Sequence, residues 1–573
     1  MRSLRLVLLL AFLPAVPVVA APVASFGQYR PQARFDGIDS RSFYVRLRDG
    51  VRVAVRVDRP TTQGVVHDKP LPVIWHHSLS VAQLPADGAG GRNSGYRAVP
   101  SLTRHGYVVV QVARRGNGQS LGAMRGYHDR MEAQDAFEMI DWLSRQPWSN
   151  GRVGMYGCSN TGDAAMQALT MRPPALKAVF AGCFSWHKFD AFRRGGIFAQ
   201  WGTGPTRSIA QDMAIPPVDD DADKTLLAQA AQEHQLSTPL FAMWSGLPFR
   251  DSHSALTGTR FWSEGSSASY AQQVRLAGVP LYIQGAWRDE LRDQAFITHL
   301  NVPGSRVIIG PWLHCDSEDF ALLDEMHRFF DRHLKDIDTG LDDQAPIHYY
   351  TVNAPAGREW RSAQTWPLPQ QREQTLHLTA GKLAERPATS ASAARFAVRP
   401  VTACATAGEG SRIQPCHMPE DGARFTGSVL KAAVEVTGHP RLRVWVASTQ
   451  PDANVFAYLE DVAPDGSVRV VTEGRLKASL RREHEAPWAM PAGIPWHRAY
   501  AEDAQPLQPG VPVELHFDLM PTSWLFQAGH RMQVTVTGAD HRERGRSDLL
   551  PTLTVLGDAA HPSALLLPVM AQP

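Results

Sequence analysis

The strongest constraint on the fold is a series of short apolar runs that do not alternate with polar residues. Stretches with helical spacing, such as residues 131–146, separate these runs. Strands with both faces buried have this pattern, because helices cover a parallel sheet on its two sides. We therefore expect an α/β fold with a doubly wound sheet. The predicted strands are residues 73–75, 107–112, 152–156, 178–181, 281–284 and 307–309.

Two segments differ from this pattern. Residues 43–57 predict an antiparallel hairpin, because alternating Val residues follow an Asp49-Gly50 turn. Residues 186–275 carry aromatic and Ala/Gln-rich helical stretches, and we expect them to form a helical cap inserted between strands. Within them, Asp219-Asp220-Asp221 with Asp223 lacks the spacing of an EF-hand loop, so we predict a solvated loop rather than a calcium site.

From about residue 345 the pattern changes to short alternating strands, as in residues 441–446 and 532–536. Turn sequences such as Pro464-Asp465-Gly466 and Gln508-Pro509-Gly510 separate them. These features predict an all-β domain of sandwich or jelly-roll type. Because 573 residues are too many for one core, two or three domains are expected.

The first 24 residues resemble a targeting segment. Arg2 and Arg5 come before an apolar stretch, residues 6–19, which two Pro residues interrupt and small Ala residues follow. This pattern predicts a secretory signal peptide, because the apolar stretch is too short to span a membrane. We expect an exported protein, periplasmic or secreted, with a membrane anchor as the alternative.

The charge balance argues against a nucleic-acid partner. The chain has 58 Lys and Arg against 56 Asp and Glu. Removing the predicted signal peptide takes away two Arg and no acid, so the mature chain has no net charge. A protein that binds a phosphate backbone needs a basic excess. No later stretch is apolar enough to predict a membrane span.

Ser159 stands in a predicted turn between a strand and a helix. The sequence Gly157-Cys158-Ser159-Asn160-Thr161-Gly162 follows the apolar run 152–156 and precedes an Ala-rich stretch, residues 163–171. A serine on a sharp strand-to-helix turn projects its hydroxyl towards substrate, which is typical of a nucleophile elbow. We therefore predict that Ser159 is a nucleophile.

A base and an acid follow in the order that such a fold requires. Asp289 comes after the predicted strand 281–284, and His314 comes after the strand 307–309. Catalytic groups of a doubly wound sheet lie in loops after the strands, in the order Ser, Asp or Glu, His. We predict that His314 deprotonates Ser159 and that Asp289 orients His314. A helix cap and a structural hydrogen bond are the alternatives for Asp289 and His314 taken singly.

The motifs around these residues resemble the cocaine-esterase/X-prolyl dipeptidyl-peptidase family of serine hydrolases. The resemblance covers most of the mature chain and implies Ser159, Asp289 and His314 in the roles given above. Members of the family include esterases, α-amino-acid ester hydrolases, acylases and peptidases, so the substrate stays open. The matching segments are residues 148–162, Arg115-Gly116-Asn117-Gly118-Gln119-Ser120, Gly285-Ala286-Trp287-Arg288-Asp289, Gly310-Pro311-Trp312-Leu313-His314 and residues 360–369.

The resemblance also implies the domain organisation. After the signal peptide at 1–24, we expect an α/β-hydrolase catalytic domain at 25–340, with the cap at 186–275. A jelly-roll β-sandwich domain is expected at 341–573. The chemistry requires no metal or organic cofactor.

This sequence departs from the family at its predicted oxyanion hole. Asn160 stands where the family usually has Tyr, but its backbone N–H is still expected to donate. The second donor is usually the Tyr of a Pro-Tyr pair, and Leu79-Ser80 is the matching pair here. We predict Ser80 as that donor. A bridging water, His76 or His77, or an impaired oxyanion hole are the alternatives.

The substrate pocket is less well defined by the sequence. Arg288 stands where the family commonly has Tyr; it would bind a substrate carboxylate or form a surface salt bridge. Four aromatic residues follow the predicted strand 178–181, and they would line an apolar acyl pocket or pack in the core. They are Phe184, Trp186, Phe198 and Trp201.

The five cysteines divide into two groups. Cys404 and Cys416 flank a small polar loop, and we predict that they pair. Cys158, Cys183 and Cys315 show no zinc-ligand spacing. Because two of them adjoin proposed catalytic residues, a bridge near the site is an option, but we favour three small buried side chains.

The sequence thus predicts an exported serine hydrolase that cleaves an ester or amide bond of a small molecule or short peptide through an acyl-enzyme. One alternative is an X-Pro-type peptidase, in which Asp190 or Glu290 would hold the substrate ammonium. The other is a catalytically impaired binding protein with a hydrolase fold. The oligomeric state stays open.

Overall fold

The computed structural model describes residues 25–81, 94–198, 207–317, 319–400, 417, 422–543 and 550–571. The predicted signal peptide, the predicted Cys404–Cys416 pair and Trp201 lie outside these ranges. No helix of the described ranges is both long and apolar enough to cross a membrane.

The first part of the described chain is an α/β unit. Its strands are β1 (Gly37–Arg46), β2 (Arg52–Thr62), β3 (Val65–Val66), β4 (Leu71–Ser78), β5 (Val108–Ala113), β6 (Ser149–Cys158), β7 (Leu176–Gly182), β8 (His253–Ser254), β9 (Thr259–Arg260), β10 (Leu281–Arg288), β11 (Arg306–Leu313), β12 (Ile347–Tyr350) and β13 (Trp360–Ala363). Its helices are α1 (Ser94–Arg104), α2 (Arg130–Ser144), α3 (Asn160–Thr170), α4 (Lys188–Phe192), α5 (Ile209–Met213), α6 (Thr225–Glu233), α7 (Leu240–Ser245), α8 (Phe261–Glu264), α9 (Ala271–Ala277), α10 (Arg292–Asn301) and α11 (Leu322–Lys335).

These strands form one mixed sheet in the order β1-β2-β5-β4-β6-β7-β10-β11-β12-β13. Neighbours from β5 to β12 are parallel, and β1 and β2 form the predicted hairpin. Val and Ile side chains of the central strands are fully buried because helices pack on both faces. The predicted α/β class is confirmed. The carboxyl ends of β4, β6, β7, β10 and β11 therefore open on one edge of the sheet.

Short helices and the small β8–β9 hairpin lie between β7 and β10, so the predicted helical insertion is confirmed. The prediction of a solvated acidic loop is wrong for Asp221. Its side chain is buried and accepts hydrogen bonds from the backbone N–H groups of Leu226 and Leu227, each at 2.8 Å. These amides belong to the first turn of α6, where N–H groups lack helical partners and favour a carboxylate.

The remaining described chain is a largely antiparallel β domain with its own core, as predicted. Side chains of β19 alternate in burial, so that Leu442, Val444 and Val446 face the core. The α/β sheet itself continues to Ala363, past residue 340. The strands of the β domain are β14 (Gln371–Thr379), β15 (Lys382–Ala384), β16 (Ala393–Ala397), β17 (Ala423–Thr426), β18 (Val434–Gly438), β19 (Arg441–Ser448), β20 (Asn454–Val462), β21 (Val468–Lys477), β22 (Val513–Asp518), β23 (Thr522–Phe526), β24 (Arg531–Thr537), β25 (Thr552–Leu556) and β26 (Ala564–Met570).

Candidate active site

Ser159 lies at the turn between β6 and α3. Its backbone is in a region that non-glycine residues rarely adopt, with φ of 60° and ψ of −126°. The turn is tight, because a Cβ on Gly157 would lie 2.4 Å from the Thr161 carbonyl and one on Gly162 would lie 2.6 Å from the Gly182 carbonyl oxygen. The Ser159 N–H donates to that same Gly182 oxygen at 2.9 Å. This geometry is that of a nucleophile elbow.

Asp289 and His314 follow β10 and β11 at the same edge of the sheet. The Nδ1 atom of His314 lies 3.0 Å from a carboxylate oxygen of Asp289. The acid is buried, while 14% of the His314 side chain is exposed. Burial alone would lower the pKa of His314, but the Asp289 carboxylate more than offsets this and raises it above the ordinary value. Burial alone would likewise raise the pKa of Asp289, yet the nearby His314 holds it lower. Both pKa shifts favour a protonated His314 beside an ionised Asp289.

A disulfide joins Cys158 to Cys315, with their Cα atoms 5.7 Å apart. The prediction of three small buried cysteines without a bridge is therefore wrong, because the elbow and the loop after β11 meet at this point. Of these three residues, Cys183 is free and buried. Because consecutive Cα atoms are about 3.8 Å apart, this bond limits the Cα separation of Ser159 and His314 to ~13 Å.

The side chain of Asn160 is held on both sides. Arg114 donates from Nη2 to its Oδ1 at 2.6 Å, and its Nδ2 donates to the Tyr127 hydroxyl at 2.8 Å. The backbone carbonyl of Asn160 lies 2.8 Å from Nε2 of His128. Asn160 begins α3, where N–H groups lack helical partners and favour negative charge. The contacts fix the residue that carries the predicted oxyanion donor.

Lys188, the first residue of α4, adds two further contacts to this set. Its Nζ lies 2.9 Å from Nδ1 of His128 and 3.4 Å from the Asp163 carboxylate. Because a carbonyl only accepts, Nε2 of His128 carries the proton towards Asn160 and Nδ1 accepts from Lys188. Burial lowers the pKa of His128 well below its ordinary value, and the adjacent Lys188 lowers it further. We call Asn160 with Arg114, Tyr127, His128 and Lys188 the Asn160 network.

Sequence reasoning missed the partners in the Asn160 network. Arg114 follows the end of β5, a position where polar residues often serve a site, and that signal was available. His128 and Lys188 carried no such signal, because only the packed chain brings them together.

Ser80 lies just after β4, which pairs in parallel with β6. It is therefore at the same edge of the sheet as the elbow, and it is half-buried. Gln119 bonds both backbone groups of Val81, at 3.1 Å and 3.0 Å. A Cβ on Gly118 would lie 2.7 Å from the Cα of Ser80. The loop of the family motif thus supports the segment that carries the predicted second oxyanion donor.

His76 and His77, the alternative donors, both lie within β4 and are buried. The His76 ring stacks on Tyr156 with 4.8 Å between centroids. Burial, with Arg114 nearby, lowers the pKa of His76 to about 4 and that of His77 well below its ordinary value. Both rings are neutral at neutral pH.

The residue after Asp289 contacts the β domain. Glu290 is buried and lies 3.3 Å from Arg475 and 3.5 Å from Arg542. Arg542 also contacts two buried acids of the β domain. We call this set the Glu290 cluster, and its members are Glu290, Arg475, Arg542, Glu473 and Asp540. Burial raises the pKa of Glu290 above its ordinary value, although both arginines oppose this.

The candidate ammonium anchors are thus both engaged. Asp190 receives two hydrogen bonds from Arg250, at 2.6 Å and 3.0 Å. Burial alone would raise the pKa of Asp190, but Arg250 holds it below the ordinary value. Glu290 lies within its cluster. Neither carboxylate is presented to a substrate amine without competing arginine contacts.

The predicted pocket residues differ in exposure. Phe184 and Trp186 are buried in the core of the α/β unit, and Phe198 is buried within the cap. Trp186 lines a cavity of about 60 Å³ between the cap and the β domain, which the proposed triad does not line. The Arg288 side chain is exposed. Their roles in substrate binding stay predictions.

Within the described ranges, two groups of three donor atoms lie within 4.8 Å of one another. One consists of Cys183, Asp289 and His314, and the other of the sulfurs of Cys158, Cys183 and Cys315. Two of these sulfurs are bound in the disulfide, and metal ions bind thiolates. Burial raises the pKa of the Cys183 thiol well above its ordinary value, so this sulfur stays protonated.

Comparison with known proteins assigns the family. Residues 49–316 match the model of the X-Pro dipeptidyl-peptidase (S15) family, and residues 339–562 match the model of its C-terminal non-catalytic domain. A relative from Mycobacterium bovis, named "Putative serine esterase", is 31% identical over 94% of this chain and 96% of its own length. The chain is a serine hydrolase of the S15 family.

Two other similar proteins match most of the length of this chain. The cocaine esterase of a Rhodococcus strain is 25% identical over 88% of this chain and 91% of its own length. A CocE/NonD family hydrolase from Staphylococcus aureus superposes with a TM-score of 0.72 at 19% identity, covering 97% of this chain and 99% of its own. The same two-part fold is thus present in solved structures.

Proposed function

We propose that this S15 hydrolase is an exported esterase that acts through an acyl-enzyme on Ser159. His314 is the base and Asp289 the acid that orients it. The observation that carries the proposal is the 3.0 Å contact between His314 and Asp289, beside a serine whose φ of 60° is that of an elbow.

The reaction follows from these positions. His314 accepts the proton of the Ser159 hydroxyl, and the oxygen attacks the carbonyl carbon of the ester. Asp289 stabilises the positive charge on the ring and keeps its other nitrogen facing the serine. His314 then gives the proton to the leaving alcohol, and a water molecule deprotonated by the same histidine releases the acid.

The oxyanion of the tetrahedral intermediate forms beside the amino end of α3. The Asn160 N–H is the first donor, supported by the Asn160 network, and Ser80 is the second. One such donor is worth roughly 3–4 kcal/mol in the transition state. The serine replaces the Tyr usual at this position, so we expect the Ser80 hydroxyl to contribute at the low end of this range.

Two observations favour an ester over a peptide. The M. bovis relative is named a serine esterase. In addition, Asp190 and Glu290 are already paired with arginines, whereas a peptidase that trims amino termini needs a carboxylate for the substrate ammonium. Relatives named as Xaa-Pro dipeptidyl-peptidases, such as one from Streptomyces avermitilis at 24% identity, make the peptidase the second candidate.

A substrate comparison tests the proposal. Hydrolysis of a p-nitrophenyl acyl ester is compared with that of an X-Pro chromogenic dipeptide, using the mature protein and Ser159→Ala. We expect kcat/KM to be higher for the ester, and both activities to vanish in the variant. A higher value for the dipeptide would establish the peptidase instead.

Covalent labelling tests the nucleophile independently of substrate choice. A fluorophosphonate probe should modify intact protein at Ser159 and leave Ser159→Ala unmodified. Equal labelling of the two proteins would disprove the triad. An absence of labelling in both would support the catalytically impaired binding protein.

Export is supported by the sequence of residues 1–24 and by the disulfide, because disulfides persist mainly in oxidising compartments. Expression of the full chain in a bacterial host should give a periplasmic or secreted product whose amino terminus lies near residue 25. A product that keeps Met1 and stays in the cytosol would contradict export.

A further inference from the structure

Three sulfur atoms lie beside the proposed catalytic residues. Cys158 comes directly before Ser159, and Cys315 comes directly after His314. The two cysteines form a disulfide, and the sulfur of Cys183 lies within 4.8 Å of both of theirs. We call these residues the three-sulfur cluster. Its disulfide is a covalent link between the loop of the nucleophile and the loop of the base.

The backbone around the cluster is held in an unfavourable conformation. Ser159, Cys183 and Cys315 have φ values of 60°, 45° and 61°. They follow β6, β7 and β11, where the chain leaves the sheet. A non-glycine residue in this region costs of order 1–3 kcal/mol and persists only when its surroundings fix it. The three turns therefore depend on contacts that hold them, and the disulfide connects two of them.

The third sulfur lies close to Asp289, the remaining member of the proposed triad. The sulfur of the buried Cys183 lies within 4.8 Å of a carboxylate oxygen of Asp289. Burial raises the pKa of Cys183, and the negative charge of Asp289 raises it further. Only a thiolate attacks a disulfide, so Cys183, which stays a thiol, does not exchange with its two neighbours.

We propose that the Cys158–Cys315 disulfide positions Ser159 against His314, so that the enzyme is fully active only while this bond is oxidised. The inference rests on the triad under "Proposed function". Cys158 and Cys315 position the catalytic residues and take no part in the reaction. Opening the bond leaves the two loops joined by non-covalent contacts alone, and a misplacement of about 1 Å costs of order 10²-fold in rate.

A dithiol reagent opens the bond in a balanced step. One thiolate of dithiothreitol attacks a sulfur of the disulfide and displaces the other cysteine as a thiolate. The second thiol of the reagent then closes its own ring disulfide and releases the first cysteine. The reagent loses two electrons and two protons, and the protein gains them as two thiols. Cys158 and Cys315 are both half-buried, so neither residue is closed off from solvent.

The experiment uses the full chain carrying Cys404→Ser and Cys416→Ser, so that reduction acts on one disulfide alone. Mass spectrometry after thiol alkylation measures the extent of reduction. We expect kcat to fall by about 10²-fold with little change in KM, near-UV circular dichroism to stay constant, and reoxidation to restore kcat. The double variant Cys158→Ser with Cys315→Ser should show the same kcat loss without reductant.

Three results separate the possible failures. Full reduction with unchanged kcat would overturn the positioning role while leaving the proposed function intact. Loss of the near-UV signal together with activity would assign the bond to global stability and overturn it as well. If the oxidised protein does not react with a fluorophosphonate at Ser159, the proposed function itself fails.

Discussion

The nucleophile and the acid of the proposed triad are held by different kinds of contact. Around Ser159, the supporting groups come from the α/β unit and the start of the cap, and they act through the Asn160 network and the disulfide. Next to Asp289, Glu290 is held by buried arginines of the β domain in the Glu290 cluster, and Arg292 of α10 donates to the Asp289 backbone carbonyl at 3.1 Å. The β domain, matched by a model described as non-catalytic, thus contacts the loop that carries the proposed acid.

The support around Ser159 thus lies within the α/β unit and the cap, whereas that around Asp289 includes ion pairs with the β domain. The Asn160 network positions a single residue, so we expect its loss to lower kcat more than the free energy of unfolding. A buried ionic cluster between domains carries large desolvation costs, and removing one member leaves other charges unpaired. Variants of the Asn160 network should therefore change mainly kcat, whereas variants of the Glu290 cluster should also change the free energy of unfolding.

The largest effect is expected from Asp289→Asn. Amidation of the acid in a serine-protease triad lowers kcat by about 10⁴-fold, because the histidine takes the wrong tautomer. Asp289 raises the pKa of His314 above its ordinary value, so in the parent enzyme kcat/KM should rise with pH through that raised pKa. Without the carboxylate, burial lowers the pKa of His314, and the residual activity should titrate at lower pH.

The measurement is a pH profile of kcat/KM for both proteins on a neutral p-nitrophenyl ester. Asp289→Glu, which keeps the charge, is the matched variant and should retain a raised apparent pKa. An acid limb at the same pH in the parent and in Asp289→Asn would show that another group controls the profile.

The second largest effect is expected from Arg542→Met, which removes a β-domain arginine from the Glu290 cluster. Arg542 is fully buried, and its loss leaves Glu473 and Asp540 without their shared cation. Breaking a buried pair in this way costs about 3–5 kcal/mol of unfolding free energy. Because Arg542 also contacts Glu290 next to the acid, we also expect kcat to fall, by about tenfold.

Urea unfolding and steady-state kinetics at low temperature measure the two effects of Arg542→Met. Arg145→Met removes an arginine from an exposed pair with Asp141 and is the matched control, for which the unfolding midpoint should not change. A stable Arg542→Met with parental kcat would show that the β domain does not support the acid loop.

A smaller effect is expected from Asn160→Ala on the nucleophile side. The backbone donor remains, but Arg114 and Tyr127 lose the amide that they hold. We expect kcat to fall by about tenfold with KM unchanged, because the contact positions an oxyanion donor that acts only in the transition state. Tyr127→Phe removes one of these hydrogen bonds and should lose less.

Kinetics and fluorophosphonate labelling rates check Asn160→Ala, since both depend on the oxyanion site. Unfolding by urea should show a smaller loss of stability than for Arg542→Met. If Asn160→Ala lost more unfolding free energy than transition-state stabilisation, the distinction between the Ser159 side and the Asp289 side would not hold.

The sequence predicts the sheet, the cap and the order of the triad because these features are local. Each proposed catalytic residue follows an apolar run, and a strand end is visible in the sequence itself. The Glu290–Arg542 contact joins residues 252 positions apart, and the Lys188–His128 contact joins residues 60 apart. Contacts of this kind depend on how side chains pack, for which a single sequence carries no period or motif.

The disulfide could be predicted in part from the sequence. Its cysteines are 157 residues apart, yet each adjoins a residue of the predicted triad. If Ser159 and His314 meet, their neighbours must also lie close together, so the triad prediction already contained the signal. Spacing along the chain alone does not reveal this proximity, so the prediction of three small buried side chains was wrong.

The smallest effect is expected from Arg288→Ala, directly before the acid. Its side chain is exposed, unlike that of Glu290 on the other side of Asp289. Exposed substitutions away from buried contacts change stability by less than about 0.5 kcal/mol, and we expect kcat/KM for a neutral ester to stay within about twofold. The same assay with an ester that carries a free carboxylate decides the role of Arg288. A loss of kcat/KM confined to that substrate would make Arg288 a specificity residue, whereas an unchanged kcat/KM for both esters would contradict a role for Arg288 in binding a substrate carboxylate.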